Sequence, residues 1–233
     1  MKKIIIAILV LLGTFSISSA DMGIKVGVSG NTSVFQATGK ETTTDASARV
    51  PGNSADDVNS EDATAVVGYT SFFLEKTLGF LPGPLGNLTL GYDYVSESMT
   101  SDQVENNRLD NNINGAAPVV ENTVKVAFED LTTIYLSANI TDNLYAKYGW
   151  VDVDVITKES LATGSEYPNS SLSGTTYGLG YNKTFGSNFF IRGEAMYVDM
   201  GGATLTSTTN SENTVKVEDL TGATARVSVG KSF

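Results

Sequence analysis

Charged side chains that alternate with apolar ones are the residues of this sequence best placed to do chemistry. Arg226 lies between Ala225 and Val227, and Glu194 and Asp93 stand in similar alternating stretches. Because successive side chains of a strand point to opposite sides, such charges would share the polar side of a sheet. In a narrow closed barrel they would face the lumen, where buried charges need partners. The sequence therefore predicts a lumen charge network, whose members are Arg226, Glu194, Asp93, Arg192, Lys147 and Lys25.

Two interpretations of this network are open at the level of sequence. Glu194, Arg226 and Asp93 would lie at similar heights, so that they could pair with one another and plug the lumen. The same charges could instead line a narrow ion path, since rings of charge set selectivity in pores. Lys125 and Glu129 occupy polar positions of the same kind and are also expected to point inward.

Catalytic chemistry has little support in the composition. The chain contains no His and no Cys, which excludes Ser-His-Asp and Cys-His nucleophiles and any His-based metal centre. Carboxylates are plentiful, but no pair has a distinctive spacing. We therefore expect that the protein is not an enzyme.

One polar stretch matches a calcium-loop pattern, D-x-[DN]-x-[DN]-G-x5-E. Its side-chain ligands would be Asp110, Asn112, Asn114 and Glu121. A solvated surface loop is the alternative, because Pro118 and a following strand are unlike the helix–loop–helix in which this pattern normally occurs. Calcium is the one cofactor that the sequence suggests.

Eight alternating segments organise the chain beyond its first residues. A period of two is typical of strands with one apolar and one polar face. The links between segments are alternately short and long, which is the pattern of an antiparallel transmembrane barrel with short periplasmic turns and four long extracellular loops. The predicted strands cover about 23–36, 63–76, 87–98, 122–140, 144–158, 174–185, 188–200 and 222–233.

Two details of these strands are less regular. In the second segment the alternation fits either face, and the assignment we favour has Val67, Tyr69 and Phe73 outward and Gly68 and Thr70 inward. In the fifth segment the apolar parity changes after Trp150, and an extra residue in a bulge near Gly149 would explain the change. Aromatic residues near the strand ends predict interface girdles, namely Phe80, Tyr145, Tyr148, Trp150, Phe185, Phe189, Phe190, Tyr197 and Phe233.

The N-terminal residues have the pattern of a secretory signal. Lys2 and Lys3 precede the apolar run 4–12, and small residues lead to Ala20. The run is shorter than the roughly 20 residues that span a bilayer, so residues 1–20 are predicted to be a cleavable signal peptide and residues 21–233 the barrel domain. The net charge of −11 argues against a nucleic-acid partner.

The signal, the eight segments and the ending 223–233 resemble the small eight-stranded outer-membrane β-barrels of the opacity-protein type. The resemblance implies a location in the bacterial outer membrane among its lipids, with both termini in the periplasm. It also implies that the barrel-assembly machinery reads the last strand through Phe233, Val229 and Val227. Lys231 departs from the family pattern, in which this position is usually apolar or aromatic.

These features together predict an all-β transmembrane up-and-down barrel that displays acidic loops and has a structural and surface-interaction role. The alternative is a narrow porin or a transporter of ions or small hydrophobic solutes. A soluble β-sandwich would account for the alternation and the aromatic residues, but it explains neither the terminal Phe nor the phase of the loops.

Overall fold

β-Strands form almost all of the regular structure in this computed structural model, which describes residues 23–43, 57–100, 104–109, 119–160, 166–186, 188–209, 211 and 213–233. Among these residues the one helical element is a 3-10 turn, Gly83–Asn87. Within the described part of the chain, no helix is long and apolar enough to cross a membrane. The strands are β1 (Ile24–Thr43), β2 (Asp57–Thr77), β3 (Leu88–Tyr94), β4 (Met99–Thr100), β5 (Val104–Leu109), β6 (Val119–Asn139), β7 (Leu144–Ser160), β8 (Ser170–Phe185), β9 (Phe189–Met200), β10 (Ala203–Thr206) and β11 (Asn213–Ser232).

The sheet closes on itself. Neighbouring strands follow the order β1-β2-β3-β6-β7-β8-β9-β11, and β11 pairs again with β1. β3, β4 and β5 all pair with β6, and both β9 and β10 pair with β11. β3, β4 and β5 are therefore consecutive lengths of one barrel strand, and β9 and β10 are lengths of another. The ring has eight strands. The predicted all-β antiparallel barrel is confirmed.

The closing seam joins the last described residue to the first strand. The amide of Phe233 donates to the carbonyl of Ile24 at 2.8 Å, and the amide of Ile24 donates back at 3.3 Å. Phe233 lies at the same end of the barrel as the three tight links 78–87, 140–143 and 186–188. We call this the short-turn end, and we call the opposite end the long-loop end.

The wall has an apolar outer face over much of its length. Val227 and Val229 of β11, Leu179 of β8, Ile191 of β9 and Ile134 of β6 are each 44–59% exposed. Small hydroxyl side chains alternate with them and are buried on the inner side, among them Ser29, Ser33, Ser71, Thr224 and Ser228.

The parity expected for the second segment is wrong. Tyr69 and Phe73 are buried on the inner side of β2, whereas Phe72 is 54% exposed on the outer side. The physical reason lies on the neighbouring strand, where Gly27 stands opposite Phe73. A Cβ at Gly27 would overlap the Phe73 ring, so the missing side chain makes the space that an inward aromatic ring needs.

The bulge expected near Gly149 is also misplaced. β7 pairs with β8 in continuous register from Leu144 to Val155. The irregularity lies on β6, between Glu129 and Thr132, where Asp130 has a φ of 54°. An extra residue there reverses the faces of β6, so that Phe128 packs against the interior and Glu129 lies on the outer side, contrary to expectation.

The parity change in β7 therefore has a different cause. Tyr145, Lys147, Val151 and Val153 are all buried on the same inner side of one regular strand. What changes along the strand is the environment: towards the long-loop end the interior becomes apolar and the exterior becomes polar. Trp150, 53% exposed on the outer side, lies at that transition.

Candidate functional site in the barrel lumen

Side chains fill the lumen, and near the short-turn end aromatic rings pack among the charged groups. Phe73 and Phe190 are buried near the short-turn end with their ring centroids 6.1 Å apart. The guanidinium carbon of Arg192 lies 5.3 Å and 5.0 Å from the centroids of these two rings, within the range of a cation–π contact. The two rings therefore cover part of the Arg192 guanidinium with apolar surface.

Arg192 forms a paired contact with Glu75 among the charged groups of the lumen. Its Nη1 donates to Oε1 of Glu75 at 2.6 Å and its Nη2 to Oε2 at 2.9 Å. The hydroxyl of Tyr135 donates to the same carboxylate at 2.7 Å. A two-pronged Arg–carboxylate pair is among the stronger polar contacts in proteins, and both partners are buried.

Arg226 forms the second two-pronged pair, with Asp93. The distances are 2.9 Å from Nη1 to Oδ2 and 3.2 Å from Nη2 to Oδ1. Nε of Arg226 donates to the side-chain oxygen of Asn31, and Ser71 donates to Asp93 at 3.3 Å. Strands from opposite sides of the ring therefore meet at this pair.

Glu194 links the remaining cations. It accepts hydrogen bonds from Lys147 at 3.1 Å and from Tyr145 at 2.7 Å, and its second oxygen lies 3.7 Å from Arg226 Nη1. The Nζ of Lys147 also lies 3.7 Å from the centroid of the Tyr135 ring. The three buried cations are thus matched by three buried carboxylates.

The structure brings together five of the six residues of the predicted lumen network. Arg226, Glu194, Asp93, Arg192 and Lys147 are all buried in one connected cluster. Lys25 is half-buried at the short-turn end, paired in register with Glu75 on β2. The side chain of Lys125 lies outside the described part of the chain.

Glu75 is the principal residue that sequence reasoning missed. The expected outward parity of Tyr69 and Phe73 would have put Glu75 on the membrane side as well. Two signals in the sequence point to the correct face: Ser71 and Glu75 share the parity of Tyr69, and Gly27 on the neighbouring segment leaves room for Phe73.

The top layer is an apolar core at the long-loop end. Nine buried side chains form it. At the boundary with the charged layer lies a cavity of about 30 Å³, between Lys147, Arg226 and Asp93 on one side and Val151 and Val198 on the other. Such a space has room for about one water molecule. The members of the core are Tyr69, Val95, Leu131, Val151, Val153, Leu172, Val198, Met200 and Leu220.

The other predicted site residues have separate locations. Phe233, Val229 and Val227 lie on the outer face of β11 and are 46–59% exposed. Asp110, Asn112 and Asn114 fall outside the described residues, and only the backbone of Glu121 is described, in β6 opposite Asn107. Among the described residues no group of three or more acidic side chains is arranged to hold a metal ion, and calcium binding stays a prediction.

Two members of the expected aromatic girdle belong to the lumen instead. Tyr145 and Phe190 are 5% and 2% exposed and contact Arg192 from the inside. Glycines opposite them explain how such large rings fit, because a Cβ at Gly180 would overlap Tyr145 and one at Gly230 would overlap Phe190. Trp150 and Tyr148 lie on the outside, with their rings in edge contact at 5.5 Å.

Comparison with known proteins gives structural matches at low sequence identity. The chain is similar to outer membrane protein AlkL, determined by solid-state NMR in lipid bilayers (TM-score 0.48, 13% identity, 94% of this chain and 95% of that one). It is also similar to outer membrane protein OprG from Pseudomonas aeruginosa (TM-score 0.45, 10% identity, 94% and 99%). A third match is the outer membrane protease OmpT from Escherichia coli (TM-score 0.43, 12% identity, 94% and 99%). No protein-family model and no curated protein matches the sequence.

Proposed function

We propose that this protein is an integral bacterial outer-membrane β-barrel with a structural and surface-interaction role. In this proposal the closed wall anchors acidic loops at the cell surface and the lumen is plugged. The observation that carries the proposal is the inversion of polarity across the wall, with apolar side chains outside and self-paired charges inside. This is the pattern of a barrel in lipid.

The length of the apolar face supports a membrane location. Outward apolar and aromatic side chains extend from Phe189 to Tyr197 on β9 and from Ala223 to Phe233 on β11. A tilted strand of about 9–11 residues crosses a bilayer. A ring without free edges satisfies its own backbone hydrogen bonds, which a spanning structure requires.

The polarity near the long-loop end supports the orientation. Beyond Trp150 the outer face carries Asp152 and Asp154, and β9 ends with exposed Asp199. Carboxylates are expected in water above the bilayer, with Trp at its interface. The short-turn end would then face the periplasm, with the long acidic loops outside the cell. The assembly machinery would contact Phe233, Val229 and Val227, which the outer face of β11 presents.

The contents of the lumen support a plug. Within the described part of the chain, each buried cation has a carboxylate partner. Aromatic rings pack beside Arg192, and an apolar core lies above the charges. The cavity of about 30 Å³ is far smaller than an organic solute. Nothing in this arrangement resembles an activated nucleophile or a general base awaiting a substrate, so we propose no catalytic role.

Reconstitution tests the proposal directly. The purified protein should migrate in two forms on a gel, depending on heating, when folded into lipid vesicles. Vesicles that contain the folded form should retain entrapped small solutes as well as empty vesicles do. Solute release in proportion to folded protein would instead favour the narrow porin, and failure to enter bilayers would contradict the membrane location.

A further inference from the structure

Three lysines occupy alternate strands on the outer face at the short-turn end. Lys183 lies on β8, Lys231 on β11 and Lys76 on β2, and we call these three the lysine sector. β9 and β1 separate them and contribute apolar side chains: Phe189 stands opposite Lys231 and Ile24 opposite Lys76. Adjacent strands are about 4.8 Å apart, so the lysines are spaced by about 10 Å.

The neighbours of these lysines establish that they face outward. Lys183 shares its face of β8 with Tyr181 and Phe185, which are 54% and 53% exposed. Lys231 shares its face of β11 with Val229 and Phe233. Its Nζ lies 5.5 Å from the centroid of the Phe189 ring and 4.9 Å from that of Phe233. The stems of such lysines cover apolar surface while the ammonium groups lie at its edge.

The rest of the outer face differs in charge. At the short-turn end, the other three barrel strands present aliphatic side chains such as Leu90, Ile140 and Leu144, and the charged residue in their turn is Asp142. At the long-loop end the exterior is acidic. Within the described part of the chain, the outward lysines of the apolar belt are confined to the five adjacent strands from β8 to β2.

We infer that the lysine sector binds the headgroups of anionic phospholipids in the leaflet at the short-turn end. The inference rests on the proposed membrane location. Ammonium groups at the boundary of an apolar belt meet lipid phosphates, and a net negative headgroup is attracted more strongly than a zwitterionic one. The chain as a whole carries a net charge of −11. The locally positive lysine sector therefore gives one side of the barrel a preference for anionic lipid.

The test compares two double variants that remove the same charge. K183Q/K231Q removes two cations of the sector. K40Q/K216Q removes two from the long-loop end, where both lysines flank Glu218. Each protein is folded into phosphatidylcholine vesicles, and electron spin resonance measures its association with spin-labelled phosphatidylglycerol relative to spin-labelled phosphatidylcholine.

The wild type and K40Q/K216Q should both prefer phosphatidylglycerol, by up to about fivefold per lysine contact. K183Q/K231Q should lose most of this preference, and high salt should weaken it in the wild type. Equal preference in both double variants, or none in the wild type, would overturn the inference. Heat-modifiable migration separates the two proposals: a wild type that folds into bilayers without lipid preference contradicts the lysine sector alone, whereas one that does not enter bilayers contradicts the proposed function.

Discussion

The buried carboxylate of Glu75 is important for the stability of the lumen. A carboxylate taken out of water is costly unless it is paired and hydrogen-bonded. Arg192 supplies two hydrogen bonds and Tyr135 a third. Phe73 and Phe190 pack beside the Arg192 guanidinium. Each partner of the pair would be left as an uncompensated buried charge without the other.

Replacement of Glu75 should therefore strongly destabilise the barrel. We expect Glu75→Ala to lower the free energy of unfolding by about 3–5 kcal/mol, measured by denaturant titration in vesicles with the fluorescence of Trp150. Asp62→Ala, at an exposed position on the same strand, is the control and should have little effect. The double variant Glu75→Ala/Arg192→Leu should be more stable than the single one. Equal stability of Glu75→Ala and Asp62→Ala would contradict a paired, lumen-facing Glu75.

Two glycines of the wall provide a matched test of the packing in the lumen. A Cβ at Gly91 would overlap the Tyr135 ring, whereas one at Gly193 would meet no atom within 4 Å. Gly91→Ala should destabilise the barrel by about 1–3 kcal/mol, and Gly193→Ala should not destabilise it. Denaturant titration measures both, and equal tolerance of the two substitutions would show that Tyr135 does not occupy the lumen as described.

Glu218 offers a pH test at the long-loop end of the barrel. Its carboxylate accepts hydrogen bonds from Lys216 at 2.6 Å and Lys40 at 2.8 Å, and these contacts lower its pKa to about 2. A lowered pKa means that the contacts stabilise the fold fully above the ordinary value of 4.5 and that this contribution is lost as the pH falls through about 2. Carboxyl NMR should record this low pKa, and Lys216→Gln should raise it. A value near 4.5 in the wild type would contradict the contacts.

At the level of elements, β2 shows why a strand is easily assigned to the wrong face. Phe72 and Phe73 are adjacent, so alternation alone does not decide which ring meets lipid. The interior of this barrel accepts aromatic rings wherever a neighbouring strand has a glycine. The face of β2 is therefore set by Gly27 across the strand pair, which is information from another segment.

Single cysteines can test the orientation of β2, because the chain has no native Cys. In vesicles, a lipid-soluble thiol reagent should modify Phe72→Cys quickly and Phe73→Cys slowly, since the first side chain is exposed on the outer face and the second is buried in the lumen. Gel-shift analysis of the adduct measures the two rates. Faster modification of Phe73→Cys would restore the outward parity that the sequence suggested.

β7 illustrates a second limit of pattern reading. The change of apolar parity after Trp150 predicts a bulge near Gly149, but β7 is regular and the medium around it changes. Alternation records which face is apolar, and it does not record whether that face points in or out. The bulge on β6 leaves no such mark, because it reverses the faces of the strand where the surroundings also reverse. Phe128 and Ile134 therefore have the same parity although the first packs inside and the second lies outside.

At the scale of the whole molecule, the barrel has two cores of opposite character. The half near the short turns is polar inside and apolar outside, and the half near the long loops is apolar inside and polar outside. The number of strands, their order and most of the network were predictable, because these follow from alternation and loop phase. The partner of Arg192 and the apolar upper core were not predictable, since both depend on contacts between strands distant in sequence.

Conductance of the wild-type protein in a planar lipid bilayer tests the central claim most directly. Paired charges packed among aromatic rings, with an apolar core above them, leave no continuous aqueous path, so the folded barrel should give no current steps above the bare membrane at moderate voltage. Heat-modifiable migration of the same sample would verify that it is folded. Stable, reproducible channel openings from that sample would contradict a plugged lumen.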